Sequence, residues 1–270
     1  MKKKKKVNAA ILIIGNEILS GRTQDKNISF ISNWLNLNCG ITVMEVRIIP
    51  DVEKTIVKNI RSLSKSFNYV FTTGGIGPTH DDITAQSVAK AFKVKYGYHK
   101  EAYKILEHYY GEKKFNDGRK KMAKMPVTAK LIYNPSSAAP GFITKNVFSL
   151  PGVPSEMKAM TNATIIPWLK DRVSMAFFSQ TIRTTGIPES KLIELISSPI
   201  RNEHDCEIGY YPSLFGVDIR ISSNKIKYME SLQDQLTTIL GNAVFALGDD
   251  SIEEIVVKNA VENDLSLIHI

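Results

Sequence analysis

The chain has 270 residues, of which 43% are hydrophobic and 23% charged. This is typical of a soluble protein that buries a sizeable core in one large domain or two ordinary ones, and no apolar segment approaches the ~18 residues of a membrane-spanning helix. The formal net charge is +8, but the run Lys2–Lys6 supplies five of these charges. Residues 1–6 are therefore predicted to be a solvated basic tail, and the net charge does not by itself indicate a nucleic-acid-binding protein.

The segment that follows the tail, Ala9–Ile14, is apolar but too short for a signal peptide, and Gly15 ends it without a cleavage site of small residues. A buried β-strand accounts for this segment better. The two cysteines, Cys39 and Cys206, lack the spacing of a metal site or a disulfide framework, which indicates structural thiols in a reducing compartment. We therefore expect a cytoplasmic protein without a membrane partner.

Strand-like and helix-like segments alternate from residue 9 to residue 92. The strand-like segments are rich in β-branched residues, and the helical ones repeat apolar residues at intervals of three and four. Strands are predicted at residues 9–14, 41–49 and 69–73, and helices at residues 28–35, 52–63 and 85–92. Strands and helices that alternate at this spacing imply a mostly parallel sheet covered by helices on both faces.

The middle of the chain is less regular. The pattern predicts a helix at 98–110, a basic helix or loop at 117–125, short strands at 131–133 and 148–150, and a helix that begins at Pro154. The pattern changes near residue 175, and the later segments are a strand from 181, a helix at 189–196, strands around 210 and 219, and a helix at 225–240. We predict a first domain over residues 7–174 and a small α+β domain with antiparallel strands over residues 175–270, with a C-terminal helix.

The segment Thr72–Thr84 carries the strongest local signal. Three glycines follow the third strand, Gly74, Gly75 and Gly77, and Pro78 stiffens the loop before a helix predicted to begin near Asp82. Glycines let backbone N–H groups converge on an anion, and a helix N-terminus favours negative charge. The sequence therefore predicts a phosphate-binding loop. It is neither a Walker A loop, which needs Gly-Lys-Ser/Thr, nor a GxGxxG motif, because the third glycine position is a histidine.

Two adjacent aspartates, Asp81 and Asp82, follow this loop. One of them is expected to cap the next helix, but a cap needs only one carboxylate. A pair of carboxylates beside a phosphate loop suits a divalent metal that bridges a pyrophosphate. His80 is a candidate for acid–base chemistry, although a loop histidine that only binds backbone is an equally good interpretation.

Other polar residues are predicted to reach the same edge of the sheet. Glu17 follows the first strand and Asp51 the second, and ligands of open parallel sheets bind beyond the carboxyl ends of the strands. Each acid taken alone is more often a helix cap or a solvated loop residue. Ser155 has no GxSxG elbow around it, so with Glu156 it is interpreted as a helix cap or an oxygen-rich ligand clamp.

Four motifs in chain order resemble the molybdopterin-binding-like domain of the competence/damage-inducible protein A (CinA) family: Gly15–Gly21, Gly74–Thr84, Ala139–Phe142 and Leu150–Met157. The resemblance implies a three-layer α/β/α domain that hydrolyses ADP-ribose-like dinucleotide pyrophosphates. It also implies a divalent metal (magnesium, manganese or cobalt), with potassium in some members, and a homodimer. The same domain fold occurs in proteins of molybdenum-cofactor biosynthesis.

Two later motifs, Arg183–Ser190 and Gly248–Glu254, resemble the small KH-like middle domain of the same family. KH domains clamp nucleic acid with a GXXG loop, and residues 175–270 contain no such motif, so no nucleic-acid partner is expected. Full-length relatives continue beyond the position of Ile270 into a nicotinamide-mononucleotide deamidase domain, and no deamidase activity is expected of this sequence. Two departures from the family pattern are Asn16, where many relatives carry an acid, and Ser136-Ser137-Ala138, which replaces Gly-Thr.

The residues and the resemblance together assign the site. Asp81, Asp82 and Glu17 are assigned to catalysis, and Asp82, Asp81 and Asp51 to the metal. The dinucleotide substrate and its phosphates are assigned to Gly15, Asn16, Gly74, Gly75, Gly77, Pro78, Thr79, Thr84, Gly141, Ser155 and Glu156. Three functions stay open at this point: a metal-dependent pyrophosphatase, a molybdopterin-binding module without turnover, and, least favoured, an RNA-binding protein.

Overall fold

The computed structural model describes residues 7–172, 178–201, 205–248 and 250–265. The predicted basic tail, residues 1–6, lies outside the described residues. The chain divides into two compact units, residues 1–174 and 175–270. Within the described ranges, no helix is both long and apolar enough to cross a membrane.

The first unit is built on a six-stranded sheet. The strands of this unit are β1 Asn8–Ile14, β2 Thr42–Ile49, β3 Tyr69–Thr73, β4 Tyr96–Tyr98, β5 Lys124–Pro126, β6 Lys130–Ile132, β7 Gly141–Thr144 and β8 Val147–Leu150. The sheet has the order β2-β1-β3-β8-β7-β6, while β4 and β5 form a separate antiparallel pair. The strands β2, β1, β3 and β8 are parallel, and β7 runs antiparallel to both of its neighbours.

Helices cover both faces of this sheet. They are α1 Asn16–Leu19, α2 Asn27–Cys39, α3 Glu53–Ser66, α4 Thr84–Phe92, α5 Lys100–Tyr110, α6 Asp117–Lys121, α7 Pro154–Met160 and α8 Ile166–Lys170. Alternate residues of β1 point to opposite faces, as they must in a strand. Leu12 packs in the core formed with α3 and α4, and Ile11 packs in the core formed with α2, α7 and α8. The predicted three-layer α/β/α architecture with a mostly parallel sheet is therefore confirmed.

The strand order creates a crevice beside the central strand. From β1 the chain passes through α2 to β2 on one side, and it then returns through α3 to β3 on the other side. The connections on the two sides of β1 thus run in opposite directions. Such a reversal opens a gap beyond the carboxyl ends of β1 and β3, which is the usual ligand position in open α/β sheets.

The second unit has its own core and a four-stranded antiparallel sheet. Its elements are β9 Phe178–Thr184, α9 Glu189–Arg201, β10 Cys206–Pro212, β11 Val217–Ser223, α10 Ile226–Leu240, β12 Val244–Leu247 and α11 Ile252–Glu262. The sheet order is β10-β11-β9-β12, and Ile182, Leu192, Ile219 and Leu236 are fully buried between the sheet and its helices. The succession β-α-β-β-α-β is that of the split βαβ motif. The predicted small α+β domain with antiparallel strands is present.

Several elements differ from the sequence prediction. The helix after the glycine loop begins at Thr84 and not near Asp82. The strands β4, β5 and β7 are three or four residues long and were not predicted, nor was β12. Strands of this length contain too few residues to show an alternating pattern, so tertiary pairing decides them.

Candidate functional site

Five loops meet at one edge of the six-stranded sheet. They follow the carboxyl ends of β1, β2, β3, β8 and β6, and they span residues 15–17, 50–52, 74–83, 151–153 and 133–140. These loops contain every residue that the sequence assigns to the site except Thr84, Gly141, Ser155 and Glu156, which open the adjoining elements. The predicted site residues are therefore gathered at a single edge of the first unit.

Gly74 lies where three of these strands come together. Its backbone N–H donates to the carbonyl oxygen of Leu150 over 3.1 Å, and its φ is +97°. A Cβ at this position would lie 2.1 Å from the carbonyl oxygen of Ile14, at the end of β1. A Cβ on Gly152 would in turn lie 3.5 Å from the Cα of Gly74. Only glycine fits here, because the backbones of β1, β3 and the loop after β8 approach so closely.

Thr84 closes the base of the glycine loop. Its backbone N–H donates to the carbonyl of Gly75 over 2.9 Å, and its hydroxyl donates to the carbonyl of Gly74 over 2.9 Å. A Cβ on Gly75 would lie 2.3 Å from the Thr84 hydroxyl oxygen. Thr84 is fully buried, and its two hydrogen bonds hold Gly74 and Gly75 in place. At the start of α4, Ile83 supplies no side-chain cap, and the Thr84 N–H is already used by Gly75, so the N–H groups of Ala85 and Gln86 are those left to bind an anion.

The two aspartates bind Thr79 and do not cap α4. Asp82 Oδ2 accepts hydrogen bonds from the Thr79 backbone N–H at 2.7 Å and from its hydroxyl at 2.6 Å, and Asp81 Oδ1 lies 2.5 Å from the same hydroxyl. The expectation of an aspartate cap was wrong, because the carboxylates turn back into their own loop. A hydroxyl has one hydrogen and serves one carboxylate at a time. Each carboxylate also has a backbone donor, the Thr79 N–H for Asp82 and the Asp81 N–H for Asp81, so both stay hydrogen-bonded within the loop.

The loop after β1 is held to the loop after β2. The backbone N–H of Asn16 donates to Asp51 Oδ2 over 2.9 Å, and that of Gly15 donates to the carbonyl of Ile49 over 3.2 Å. A Cβ on Gly15 would lie 2.4 Å from Glu17 Oε1, so the carboxylate of Glu17 folds back over the end of β1. Asn16 thus helps to hold this loop through its backbone N–H. The local structure therefore depends little on whether residue 16 is an asparagine or the acid that many relatives carry there.

The acids of the edge lie within each other's electrostatic range. Burial is the main cause that raises the pKa of Asp51 above its ordinary value, and the Asn16 N–H opposes it. The negative charges of Glu17, Asp81 and Asp82 raise this pKa further. The four carboxylates are therefore near enough for their charges to interact. They do not form a ready-made cage, since among the described residues no three Asp, Glu, His or Cys side chains stand close enough to hold a metal together.

The sequence-assigned residues at the other end of the edge have structural partners. Gly141 is buried in β7, where a Cβ would lie 2.5 Å from the Ser149 carbonyl oxygen. Ser155 is exposed and does not cap α7, whose N-terminus carries Pro154 instead, so the cap expected there was wrong. Glu156 accepts a hydrogen bond of 3.2 Å from Asn134 Nδ2. At this end of the edge, the hydrogen bond between Asn134 and Glu156 connects the loop after β6 to the start of α7.

Three polar residues that the sequence did not single out contribute to this edge. Asn134 is buried, and its side chain accepts from the backbone N–H of Ser136 and donates to the carbonyl of Ala139, both over 2.9 Å. Asn27 donates to the Gly152 carbonyl over 2.9 Å. Lys121 in α6 donates its ammonium group to the carbonyl of Thr79. Lys121 belongs to a run of basic residues, a pattern that is typical of a solvated surface. Only its tertiary contact with Thr79 shows that it lies at this edge.

The second unit has a separate open cavity of about 420 Å³, which is lined by residues 186–189 and 212–217. None of the residues that the sequence assigns to the site lines this cavity. Its walls are turns with few charged groups, and nothing in their chemistry resembles the acidic edge of the first unit.

Comparisons with known proteins agree with this division of the chain. Residues 10–171 match the family model described as "Probable molybdopterin binding domain", and residues 179–246 match the model described as "Damage-inducible protein CinA KH domain". A protein of Clostridium botulinum (strain Loch Maree / Type A3) with the name "Putative competence-damage inducible protein" is 32% identical over an alignment of 276 positions, which covers 97% of this chain and 66% of the relative. A protein of the same description from Alkaliphilus metalliredigens is 29% identical over 95% of this chain and 65% of its own length.

The chain therefore spans slightly less than two thirds of the length of these curated relatives. Among solved structures, the crystal structure of the protein CinA with unknown function from Thermoplasma acidophilum is 34% identical in sequence. It aligns with a TM-score of 0.55 over 58% of this chain and 95% of its own length. The extent of this match corresponds to one of the two units and not to both.

Proposed function

The chain belongs to the family described as a probable molybdopterin binding domain, with a CinA KH domain after it, and from that premise we propose that it hydrolyses a dinucleotide pyrophosphate such as ADP-ribose with a divalent metal. The observation that carries the proposal is the acidic edge itself. A glycine loop followed by a helix without a side-chain cap lies at the same sheet edge as Asp51, whose pKa is raised by burial and by the charges of Glu17, Asp81 and Asp82. Phosphate-binding N–H groups next to hard oxygen ligands are what metal-dependent phosphoryl chemistry requires.

The glycine loop would hold the phosphates. Gly74 and Gly75 have positive φ angles of +97° and +67°, which orient successive backbone amides differently from those of a strand. The first turn of α4 stands directly behind the loop and adds its N–H groups and its dipole. This arrangement binds phosphate oxygens through the backbone, so that the side chains of the loop remain available for chemistry.

The acids of the edge fit a metal ion that arrives with its substrate. Magnesium-like ions are commonly held by one or two carboxylates together with phosphate oxygens and water, so a cage of three protein ligands is not needed. Asp51 and the pair Asp81 and Asp82 would hold the ion. When bound, the metal would neutralise phosphate charge and lower the pKa of a water molecule. The repulsion that now raises the pKa of Asp51 is relieved by any cation placed between these groups.

The reaction breaks one bridging P–O bond of the pyrophosphate and forms one P–O bond to the oxygen of water. With ADP-ribose the products are AMP and ribose 5-phosphate, and a proton of the water is released. Glu17, whose carboxylate lies over Gly15 at the end of β1, would accept that proton. Positioning of water and phosphates supplies most of the rate in such chemistry.

A second function is a binding module for molybdopterin or its adenylate, without turnover. The name of the family whose model matches residues 10–171 favours this alternative. It would use the same glycine loop, but it would not require Glu17 or the Asp81–Asp82 pair. The two functions therefore differ in whether metal-dependent release of AMP occurs.

The test is a screen of the purified 270-residue chain against ADP-ribose, FAD, NAD and molybdopterin adenylate. Each compound is incubated with magnesium, manganese or cobalt, with and without potassium, and AMP is measured by chromatography. We expect AMP from at least one dinucleotide and none in excess EDTA. Tight binding of molybdopterin adenylate with no AMP from any compound would support the binding module instead. Sedimentation of the same sample tests the homodimer that we include in the proposal.

A further inference from the structure

The short helix α6 packs against the glycine loop at Pro78 and Thr79. A Cβ on Gly118 would lie 3.7 Å from the carbonyl oxygen of Pro78, which is ordinary van der Waals contact. The helix is fixed at its start by Asn116, whose side chain accepts from the Arg119 backbone N–H over 3.0 Å. The Arg119 guanidinium also lies 4.2 Å from the centre of the Tyr110 ring. The position of α6 beside Pro78 and Thr79 is therefore well determined.

Lys121, the last residue of α6, extends from this helix to the loop. Its ammonium group donates to the carbonyl of Thr79, the residue whose hydroxyl and N–H bind the two aspartates. The positive charge of Lys121 also contributes to lowering the pKa of Asp81, after the larger effect of the Thr79 hydroxyl. The side chain is half-buried, and among the described residues no carboxylate lies within ion-pair distance of it.

The neighbouring Lys120 is different. Its ammonium group pairs with Asp117 at 3.7 Å and lies 5.9 Å from the centre of the Phe115 ring. Lys120 is therefore occupied within α6 and its surroundings, whereas Lys121 binds one neutral carbonyl and keeps further N–H donors. Two adjacent lysines of one helix thus carry the same charge, but only one of them is directed at the phosphate loop.

An anionic pyrophosphate needs such a charge at this place. Glu17, Asp51, Asp81 and Asp82 all lie at this edge of the sheet, and their negative charges repel the phosphates unless cations intervene. The N–H groups at the start of α4 would serve one phosphate. Gly118 of α6 packs on Pro78, and Lys121 is the charged residue of α6 that hydrogen-bonds to the loop, at Thr79.

We propose that Lys121 is a substrate-binding residue that pairs with the second of two linked phosphates, while the glycine loop and the start of α4 hold the first. The site thereby selects a diphosphate over a monophosphate. This inference rests on the proposed function, since it assigns the pyrophosphate of that substrate to two anion-binding elements. In the free protein the ammonium group rests on the Thr79 carbonyl, and on binding it transfers to a phosphate oxygen, where a charge-assisted hydrogen bond is stronger.

The first experiment measures the binding of ADP and of AMP in excess EDTA, so that neither metal nor turnover is involved. Lys121→Gln is compared with the wild-type chain and with Lys120→Gln, which removes the same charge one residue away. Because glutamine is shorter than lysine, the melting temperature of each variant is measured to show that the loop is preserved. We expect the Kd of ADP to rise about tenfold in Lys121→Gln, the loss of one hydrogen bond to a charged group, with a much smaller change for AMP. Lys120→Gln should bind both nucleotides nearly as the wild type does.

The second experiment measures hydrolysis of ADP-ribose with a divalent metal. Lys121→Gln should raise KM more than it lowers kcat, and Lys121→Arg should restore most of the affinity. Equal ADP affinity in Lys121→Gln and Lys120→Gln would overturn the inference, as would equal losses for ADP and AMP. If no variant and no wild-type sample hydrolyses a dinucleotide, the proposed function fails, but the binding comparison in EDTA still decides the role of Lys121. A wild type that does not bind ADP in EDTA would also overturn the inference, because Lys121 and the loop would then not hold a diphosphate.

Discussion

Asp82 and Asp51 each accept backbone hydrogen bonds that hold the loops of the candidate site, and each is also proposed to bind the metal. Asp82 holds Thr79 through two hydrogen bonds of 2.7 and 2.6 Å, and a Cβ on Gly77 would lie 2.8 Å from the same carboxylate oxygen. Asp51 is half-buried, accepts one hydrogen bond from Asn16, and has its pKa raised chiefly by burial. Removing the charge of either residue while keeping an acceptor oxygen separates structure from function.

Asp82→Asn is expected to keep the fold and to lose activity. The amide oxygen of asparagine still accepts from the Thr79 N–H and hydroxyl, so the melting temperature should stay within about 2 °C, the range of a change below 1 kcal/mol. The charge that would bind the metal is gone, and kcat for AMP release should fall by about 100-fold or more. Full activity in this variant, with an unchanged requirement for metal, would show that Asp82 only shapes the loop.

Asp51→Asn is expected to stabilise the metal-free protein while weakening metal binding. Because the pKa of Asp51 in the folded state is raised, ionising it costs the folded state free energy that the unfolded state does not lose. This cost is complete above the raised pKa and disappears as the pH falls below the ordinary value. The gain in melting temperature over the wild type, measured in EDTA, should therefore be largest near pH 7 and shrink on acidification. A variant that is less stable than the wild type at neutral pH would contradict this account.

At the scale of elements, the strand–loop–helix unit from β3 to α4 was the most predictable part of the site. The alternation of strands and helices and the density of glycines located the edge correctly. The sequence could not show that Asp82 would bind Thr79, so the predicted start of the helix was two residues early. It also could not show the contact between Lys121 and Thr79, because only tertiary packing brings α6 beside the glycine loop.

The glycines of the loop are fixed by their own surroundings as well as by any ligand. Gly74→Ala would place a methyl carbon 2.1 Å from the Ile14 carbonyl oxygen at a φ of +97°. Gly21→Ala is the matched control, because its φ is +73° and a Cβ there would meet nothing within 4 Å. The control should lose about 1 kcal/mol of unfolding free energy from backbone strain, and Gly74→Ala should lose clearly more. Equal losses in chemical denaturation would show that β1 and β3 are not pressed together at Gly74.

At the scale of the whole molecule, the two units differ in what they offer to chemistry. The first unit has two cores, one on each face of its sheet, and the second has a single core between its sheet and helices. All residues assigned to the site lie in the first unit, as do Asn27, Asn134 and Lys121. The sequence predicted the change of pattern near residue 175 because the regular alternation of strands and helices ends there. It did not predict which side chains pack against each other within either unit.

The isolated first unit, residues 1–174, is therefore expected to fold and to retain the proposed activity. A fragment of this size buries enough surface to be stable alone, and the two cores of the sheet are complete within it. Circular dichroism should show a cooperative thermal transition, and kcat/KM for ADP-ribose should stay within about threefold of the 270-residue chain, a difference of less than 1 kcal/mol. The Asp82→Asn form of the same fragment is the control for contaminating hydrolases. A folded fragment that binds ADP but releases no AMP would mean that the second unit supplies a group to the reaction, and substitutions would then have to be directed there.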